Sequence, residues 1–232
     1  MRQTTPGIQT ALITGAGRGV GASIADALAA THELILLGRP SEHLDAVASR
    51  LSAQIWPVDL TDHPALTARA RELESLDVLI HNAGVAFPGR FAESTSEEWR
   101  NTFEVNVIGA VALTLALLPA LRTARGHVVF INSGAGFTSS PGLASYSASK
   151  FAQRAFADSL RADESLLRVT SVHPGRIDTA MQEDLVSYEG GVYQSAKFLS
   201  PETVARVVAD AVNAPADAHI HEVVVRPRRP IA

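Results

Sequence analysis

Tyr146 and Lys150 stand four residues apart in the run Ser145-Tyr146-Ser147-Ala148-Ser149-Lys150. On a helix, that spacing stacks two side chains on one face. A phenol ordinarily releases its proton near pH ~10, too high for acid–base work at neutrality. An ammonium beside it favours the phenolate and lowers that value, so Tyr146 is expected to exchange a proton with a substrate oxygen. Lys150 is also placed to hold ribose hydroxyls. The pair alone is an unspecific signal, since the spacing recurs by chance. Ser133 adds weight: it closes the apolar run 127–132, at the edge where an open parallel sheet puts its ligand crevice. Its hydroxyl either donates to the same substrate oxygen or serves as a turn residue. Asn106 lies in an otherwise apolar stretch and must be hydrogen-bonded if buried. It is either structural or part of a water-linked proton relay behind Lys150.

A second cluster reads Thr14-Gly15-Ala16-Gly17-Arg18-Gly19-Val20-Gly21. Glycines there let the backbone turn sharply and approach a pyrophosphate, while the helix that follows offers unpaired N–H groups and its positive end. The short glycine pattern is weak by itself; its place on the first strand-to-helix turn favours dinucleotide binding over a merely structural turn. The second apolar run ends Leu36-Leu37-Gly38-Arg39, without the acid that would hold the free 2′-hydroxyl of NAD. Arg39 and Arg18 together suit the 2′-phosphate of NADP, so NADP(H) is expected over NAD(H). Taken singly, each arginine reads equally as a solvated surface residue. Asp59, with Leu60 beside it, is placed to accept from the adenine amino group or to cap the helix beginning near Asp62. Asn82-Ala83-Gly84 would bring backbone against the cofactor.

The apolar pattern supplies the elements that hold these residues. Short apolar runs at 11–14, 34–37, 55–58, 78–81, 127–132, 169–173 and 221–225 alternate with helical stretches. The helices are read at 20–30, 41–51, 64–73, through Asn106, at 144–163 and from Pro201 onward, with 174–199 irregular. Continuous apolar strands between helices mean a parallel sheet covered on both faces. The expected fold is a doubly wound α/β, Rossmann-type single domain spanning 1–232.

Composition narrows the rest. The 232 residues are 46% hydrophobic, with mean hydropathy +0.10 and a net charge of -4. That balance leaves no footprint for nucleic acid or anionic lipid. Cysteine is absent, which excludes disulfides and thiolate metal sites. Residues 1–7 show no apolar signal core. The apolar run 105–121, interrupted by Asn106, Gly109, Thr114 and Pro119, falls short of the ~20 residues of a bilayer span. A cytoplasmic protein with a long buried helix is expected. His219 and His221 alternate onto one side of the last strand without a third ligand, so no metal site is expected and they are read as facing solvent. The basic tail Arg226-Pro227-Arg228-Arg229-Pro230 is read as solvated.

Taken together and in order, these motifs resemble the short-chain dehydrogenase/reductase family in its compact single-domain form, over nearly the full length. They are the glycine turn, Asp59, Asn82-Ala83-Gly84, Asn106, Ser133, Tyr146 with Lys150, and Pro174-Gly175 followed by Thr179. The resemblance implies about seven parallel strands and a catalytic tetrad of Asn106, Ser133, Tyr146 and Lys150. It also implies Ile177 and Thr179 near the nicotinamide carboxamide, and a homodimer or homotetramer built on the long helices. His81 stands where the family most often has another asparagine, which puts the local backbone bracing in question. The segment 179–199 resembles the family's substrate lid and is short, implying a modest substrate or an open site.

The function expected is therefore an NADP(H)-dependent oxidoreductase passing a hydride between nicotinamide and a small carbonyl or alcohol substrate. Ser133 would hold the oxygen, Tyr146 give the proton, and Asn106 help resupply protons through water. Two other classes stay open: a dinucleotide-binding sensor without chemistry, and an epimerase or dehydratase on a retained cofactor. The first has no need of the four polar residues together; the second usually needs a larger substrate domain. Phe87, Phe137, Leu143, Met181, Tyr188 and Tyr193 fall in loops expected around the crevice, where they line an apolar pocket or belong to the core.

Overall fold

Leu12 and Ile13 are adjacent on the first strand, and both are fully buried. Successive strand residues point to opposite faces, so a sheet carrying such pairs must be covered on both sides. The computed structural model describes residues 7–215 and 217–228 and shows how this is done. Residues 1–6, 216 and 229–232 lie outside the described residues. With them go nearly all of the N-terminal stretch read for a signal core and the end of the basic tail, Arg229 and Pro230.

Among the described residues the strands are β1 (Gln9–Thr14), β2 (His32–Gly38), β3 (Gln54–Pro57), β4 (Val78–His81), β5 (His127–Ile131), β6 (Arg168–Pro174) and β7 (Glu222–Val225). They form one sheet in the order β3-β2-β1-β4-β5-β6-β7, and every neighbouring pair is parallel. The helices are α1 (Gly19–Leu28), α2 (Glu42–Leu51), α3 (His63–Ala70), α4 (Ser96–Phe103), α5 (Gly109–Ala124), α6 (Ala144–Asp163), α7 (Ala180–Tyr188) and α8 (Pro201–Val212).

On one face Ile13, Leu36 and Val129 pack with Ile24 and Leu28 of α1, Leu44 of α2 and Val208 of α8. On the other, Leu12, Leu37, Trp56 and Phe130 pack with Leu66 of α3, Leu113 and Leu117 of α5 and Ala157 of α6. The strand order reverses between β1 and β4, the position at which open α/β sheets receive ligands at their carboxyl edge. Local signals set the helix starts. Ser41 and Asp62 cap α2 and α3, Thr95 and Glu98 form a reciprocal capping box on α4, and Ser200 with Pro201 opens α8.

Two departures from the sequence pattern stand out. First, residues 180–188 are helical, as α7, within the segment read as irregular; only Gln182 and Val186 on it are buried. Two inward positions on one short helix leave too faint a periodicity to read. Second, the long apolar helix is continuous over Ser96–Ala124, 29 residues that satisfy the length and composition of a membrane span. Half of its most apolar window is buried inside the protein, with Leu113, Leu117 and Leu121 in the core. Midway, Glu104–Ile108 forms a π turn that separates α4 from α5.

Candidate active site

The glycine turn is braced from the neighbouring strand end. Thr14 Oγ1 accepts from the backbone N–H groups of Asn82 and Ala83, both at 3.0 Å. Asn82 Nδ2 donates to the carbonyls of Thr14 and Gly15 at 3.0 and 3.2 Å. The bracing questioned at His81 is thus supplied by Thr14 and Asn82. His81 itself is buried, bonded to Thr114 Oγ1 at 2.8 Å and stacked on Phe130. Gly15 has φ +65°, and a Cβ there would lie 2.9 Å from Ala83 Cα. A Cβ on Gly21 would lie 2.2 Å from the Gly15 carbonyl oxygen. These glycines are required by the turn itself, and on Gly17 a Cβ would press on the Leu44 backbone at 3.3 Å. Gly19, at φ +54°, faces only the Thr179 methyl, 3.5 Å from where its Cβ would be.

The start of α1 carries no side-chain cap: Arg18 holds the N-cap position in extended backbone without a capping hydrogen bond. Its first N–H groups, at Gly19, Val20 and Gly21, are left to a ligand, and a pyrophosphate suits them. The residues present therefore fit a dinucleotide. Gly15 N–H donates to the Leu37 carbonyl at 2.8 Å, which brings the turn beside the end of β2 and Arg39. Arg18 and Arg39 are both exposed. Asp59 does not cap α3. Its Oδ1 accepts from the backbone and hydroxyl of Thr61, both at 2.9 Å, while Asp62 is the cap. Leu60 keeps its side chain in the core and its carbonyl against Gly109.

Ser133 leaves the carboxyl end of β5 in extended backbone, and its hydroxyl accepts from the Ala135 N–H at 3.1 Å, the turn role the sequence also allows, while facing the Tyr146 phenol. Lys150 Nζ lies 5.7 Å from the Tyr146 ring centroid. It donates to the Ile131 carbonyl at 2.9 Å and to Gln153 Oε1 at 2.8 Å. Asn106 closes the group from the π turn. Its Oδ1 accepts from Val85 N–H at 2.8 Å, and its Nδ2 donates to the Val85 carbonyl at 2.9 Å and to Ser149 Oγ at 3.0 Å. Gly84 lies over both, its Cβ position 3.3 Å from Asn106 Oδ1 and 3.9 Å from Lys150 Nζ.

Electrostatics here run against the simplest expectation. Burial pushes the Tyr146 phenol above its ordinary value, and the Ser133 hydroxyl facing it only pulls it partway back. Burial likewise brings the Lys150 ammonium down to about 7. The expected lowering of the phenol by Lys150 is therefore not seen. The lysine is itself desolvated, and its donors point to Ile131 and Gln153.

The strand-end serine, the helical tyrosine with a lysine one turn on, and the uncapped glycine turn all lie within a stretch that matches a sequence family. The short chain dehydrogenase profile covers residues 9–190. The chain belongs to the short-chain dehydrogenase/reductase family. It is 37% identical over 225 residues to dehydrogenase/reductase SDR family member 7B of Xenopus laevis, covering 87% of this chain and 70% of that protein. In structure it is similar to an alcohol dehydrogenase of the archaeon Thermococcus sibiricus complexed with 5-hydroxy-NADP. The TM-score is 0.87 at 25% identity, over 96% of this chain and 99% of that one. A metagenomic short-chain oxidoreductase in complex with NADP gives a TM-score of 0.78 at 30% identity, over 95% and 97% of the two chains.

As a short-chain dehydrogenase/reductase the chain is an oxidoreductase with a nicotinamide dinucleotide site, and its other predicted residues sort themselves by position. The glycine turn, Asn82–Gly84, Ser133, Tyr146 and Lys150 gather at one sheet edge. Pro174 ends β6, Ile177 bridges to Leu199, and Thr179 faces the glycine turn. Gly175 is required by the C-terminal tail: a Cβ there would meet Pro227 Cδ at 2.9 Å and Arg226 Cδ at 3.2 Å. Arg226 is exposed, as expected of the tail, and its guanidinium also donates to the His173 carbonyl at 2.7 Å. His219 and His221 are both exposed, as expected; His219 also accepts from the Val169 N–H at 2.8 Å and packs edge-on against His221.

The aromatic and aliphatic pocket residues divide. Tyr188 lines a cleft of about 510 Å³ with Arg90, Phe91, Ser139, Ser140, Pro141, Gly142 and Ala144. Phe87 lines a smaller one of about 290 Å³ beside α4. Phe137 instead packs on His173 and under Arg154, Tyr193 bonds to Asp178, Leu143 is the N-cap of α6 and Met181 is exposed. Sequence reading missed Arg90, the serine pair and Gln153. Gln153 was findable as a polar residue three positions after Lys150, on the same helix face.

Proposed function

We propose that the chain reduces a small carbonyl compound with NADPH, the reverse oxidation following the cofactor ratio. The observation that carries this reading is the placement of Ser133 at the carboxyl end of β5 together with the buried Lys150 ammonium 5.7 Å from the Tyr146 ring centroid, on the same sheet edge as the uncapped glycine turn. When bound, the nicotinamide supplies the hydride. Ser133 then donates to the substrate oxygen and orients it. Tyr146 keeps its proton at neutral pH because burial raises the phenol, so it is ready to protonate the developing alkoxide. Lys150 as an ammonium has three donors. Two are taken by Ile131 and Gln153, which leaves one for a ribose hydroxyl.

Preference for NADP(H) is supported by Arg18 and Arg39, exposed beside the turn with no acid at the end of β2, and by the NADP-type ligands in the two similar structures. The cleft mixing Arg90 and two serines with Phe91 and Tyr188 suits a small substrate with both polar and apolar parts. Cytoplasmic residence and a homodimer or homotetramer belong to the same reading. Ile108, Leu115 and Phe151, exposed along α5, the preceding turn and α6, support self-association.

The test is Tyr146→Phe, assayed by NADPH consumption with a panel of small aldehydes and ketones and by NADPH fluorescence titration. Turnover is expected to fall by roughly 10²–10⁴-fold with NADPH affinity retained. Undiminished turnover in this variant would overturn the reading.

A further inference from the structure

Behind Lys150, where a water-linked relay to Asn106 was expected, the structure has a side chain. Gln153 Oε1 accepts from Lys150 Nζ at 2.8 Å, and Gln153 Nε2 donates to the Asn106 backbone carbonyl at 2.8 Å. Asn106 sits in the π turn, which interrupts the ordinary helical ladder. All three residues are buried: Lys150 is 3% exposed, Gln153 1% and Asn106 0%. A carboxamide buried on a helix face must have partners, and both ends of this one are spent on the reacting centre. Rotating the amide would set an N–H against the ammonium and an oxygen against a carbonyl, so the observed orientation is the one the partners dictate.

We propose that Gln153 is a positioning residue for the reaction, its carboxamide clamping Lys150 to the Asn106 backbone and occupying the path of the expected water relay. The inference rests on the oxidoreductase reading above. An amide N–H does not pass its proton on at neutral pH, so the Lys150–Gln153–Asn106 chain orients without conducting. Protons then reach Tyr146 by a route other than this chain. Around Lys150 lie the Ile131 carbonyl from β5, Gln153 and the Tyr146 ring from α6, and Gly84 beyond β4. Tyr146 is the titratable one, and no carboxylate forms an ion pair with Lys150 among the described residues. Burial alone sets the lysine's low value, which makes its remaining acceptors decisive.

The chain has two lysines, Lys150 and Lys197, so the test is unusually direct. Protein carrying ¹³C-labelled lysine is titrated by NMR without cofactor, with Lys197→Arg to assign the signals. Wild type, Gln153→Met and Gln153→Glu are compared. Gln153→Met removes an acceptor and is expected to lower the Lys150 midpoint by about one pH unit. Gln153→Glu places a carboxylate there and raises it. The pH profile of kcat/KM with NADPH and a small aldehyde should move in the same two directions. A filler of space would not shift the midpoint oppositely in the two variants. Midpoints that stay put, or move the same way in both, overturn the clamp. Opposite shifts in a protein that turns over no carbonyl on the panel would uphold the clamp and overturn the carbonyl-reduction reading.

Discussion

Asn82 Nδ2 reaches from the end of β4 to the Gly15 carbonyl at 3.2 Å, and so fixes the glycine turn from a different strand. The same amide bonds the Thr14 carbonyl, and without it both oxygens lose a partner. Asn82→Ala is expected to destabilise the fold by about 1–3 kcal/mol and to weaken NADPH binding, read by urea unfolding and fluorescence titration. Unchanged NADPH affinity in this variant would show that the turn holds its shape without the brace.

Arg39 follows β2 beside that turn and is exposed. A hydrogen bond to a charged group is worth about 1.5–3 kcal/mol, so Arg39→Asp should cut kcat/KM with NADPH by roughly 10–100-fold and improve NADH. A wild type that already prefers NADH would remove the ground for the assignment.

Two histidines make the fold acid-sensitive. Burial drives His81 and His127 down to about 3, so between pH ~3 and ~6.5 the unfolded chain binds more protons than the native one. Stability must then fall as pH falls through that window, by about 2 kcal/mol per histidine at pH 5. His81→Asn, which does not titrate, should flatten the slope of unfolding free energy against pH by about one proton. Urea denaturation at several pH values measures it, and a slope identical to wild type would contradict the buried neutral imidazole.

Leu115 is 64% exposed on α5, and the exposed Ile108 lies seven residues before it, two turns back on the same helix face. Leu115→Glu is expected to shift sedimentation from oligomer toward monomer while leaving the fold intact. A monomeric wild type would count against self-association through this face.

Much of this protein could be read along the chain. Most strands centre on a short apolar run, α2, α3, α4 and α8 have local start signals, and Tyr146 with Lys150 or the glycine turn are neighbours in sequence as well as in space. The NADP preference was argued from Arg18, Arg39 and a missing acid, all local to two strand ends. By contrast α7 leaves little trace in the sequence because only Gln182 and Val186 on it face inward, and of the two roles the sequence allows Asp59 the cap belongs to Asp62.

What tertiary structure alone decided lies in contacts between distant segments. Gln153 meets the Asn106 carbonyl across 47 residues of chain, Arg226 bonds His173 across 53, and Gly175 is required by a tail that returns to it. The phenol's direction belongs here too. Residue types predicted an ammonium lowering it, but burial, a property of the assembled fold, raises the tyrosine and depresses the lysine. Sequence by itself determined the sheet, the glycine turn and the reacting pair, because periodicity and short spacings act within one element. The partners and charge states of that pair were decided only by the packing of β5, α6 and the π turn, because desolvation and long-range hydrogen bonds exist only once those elements meet.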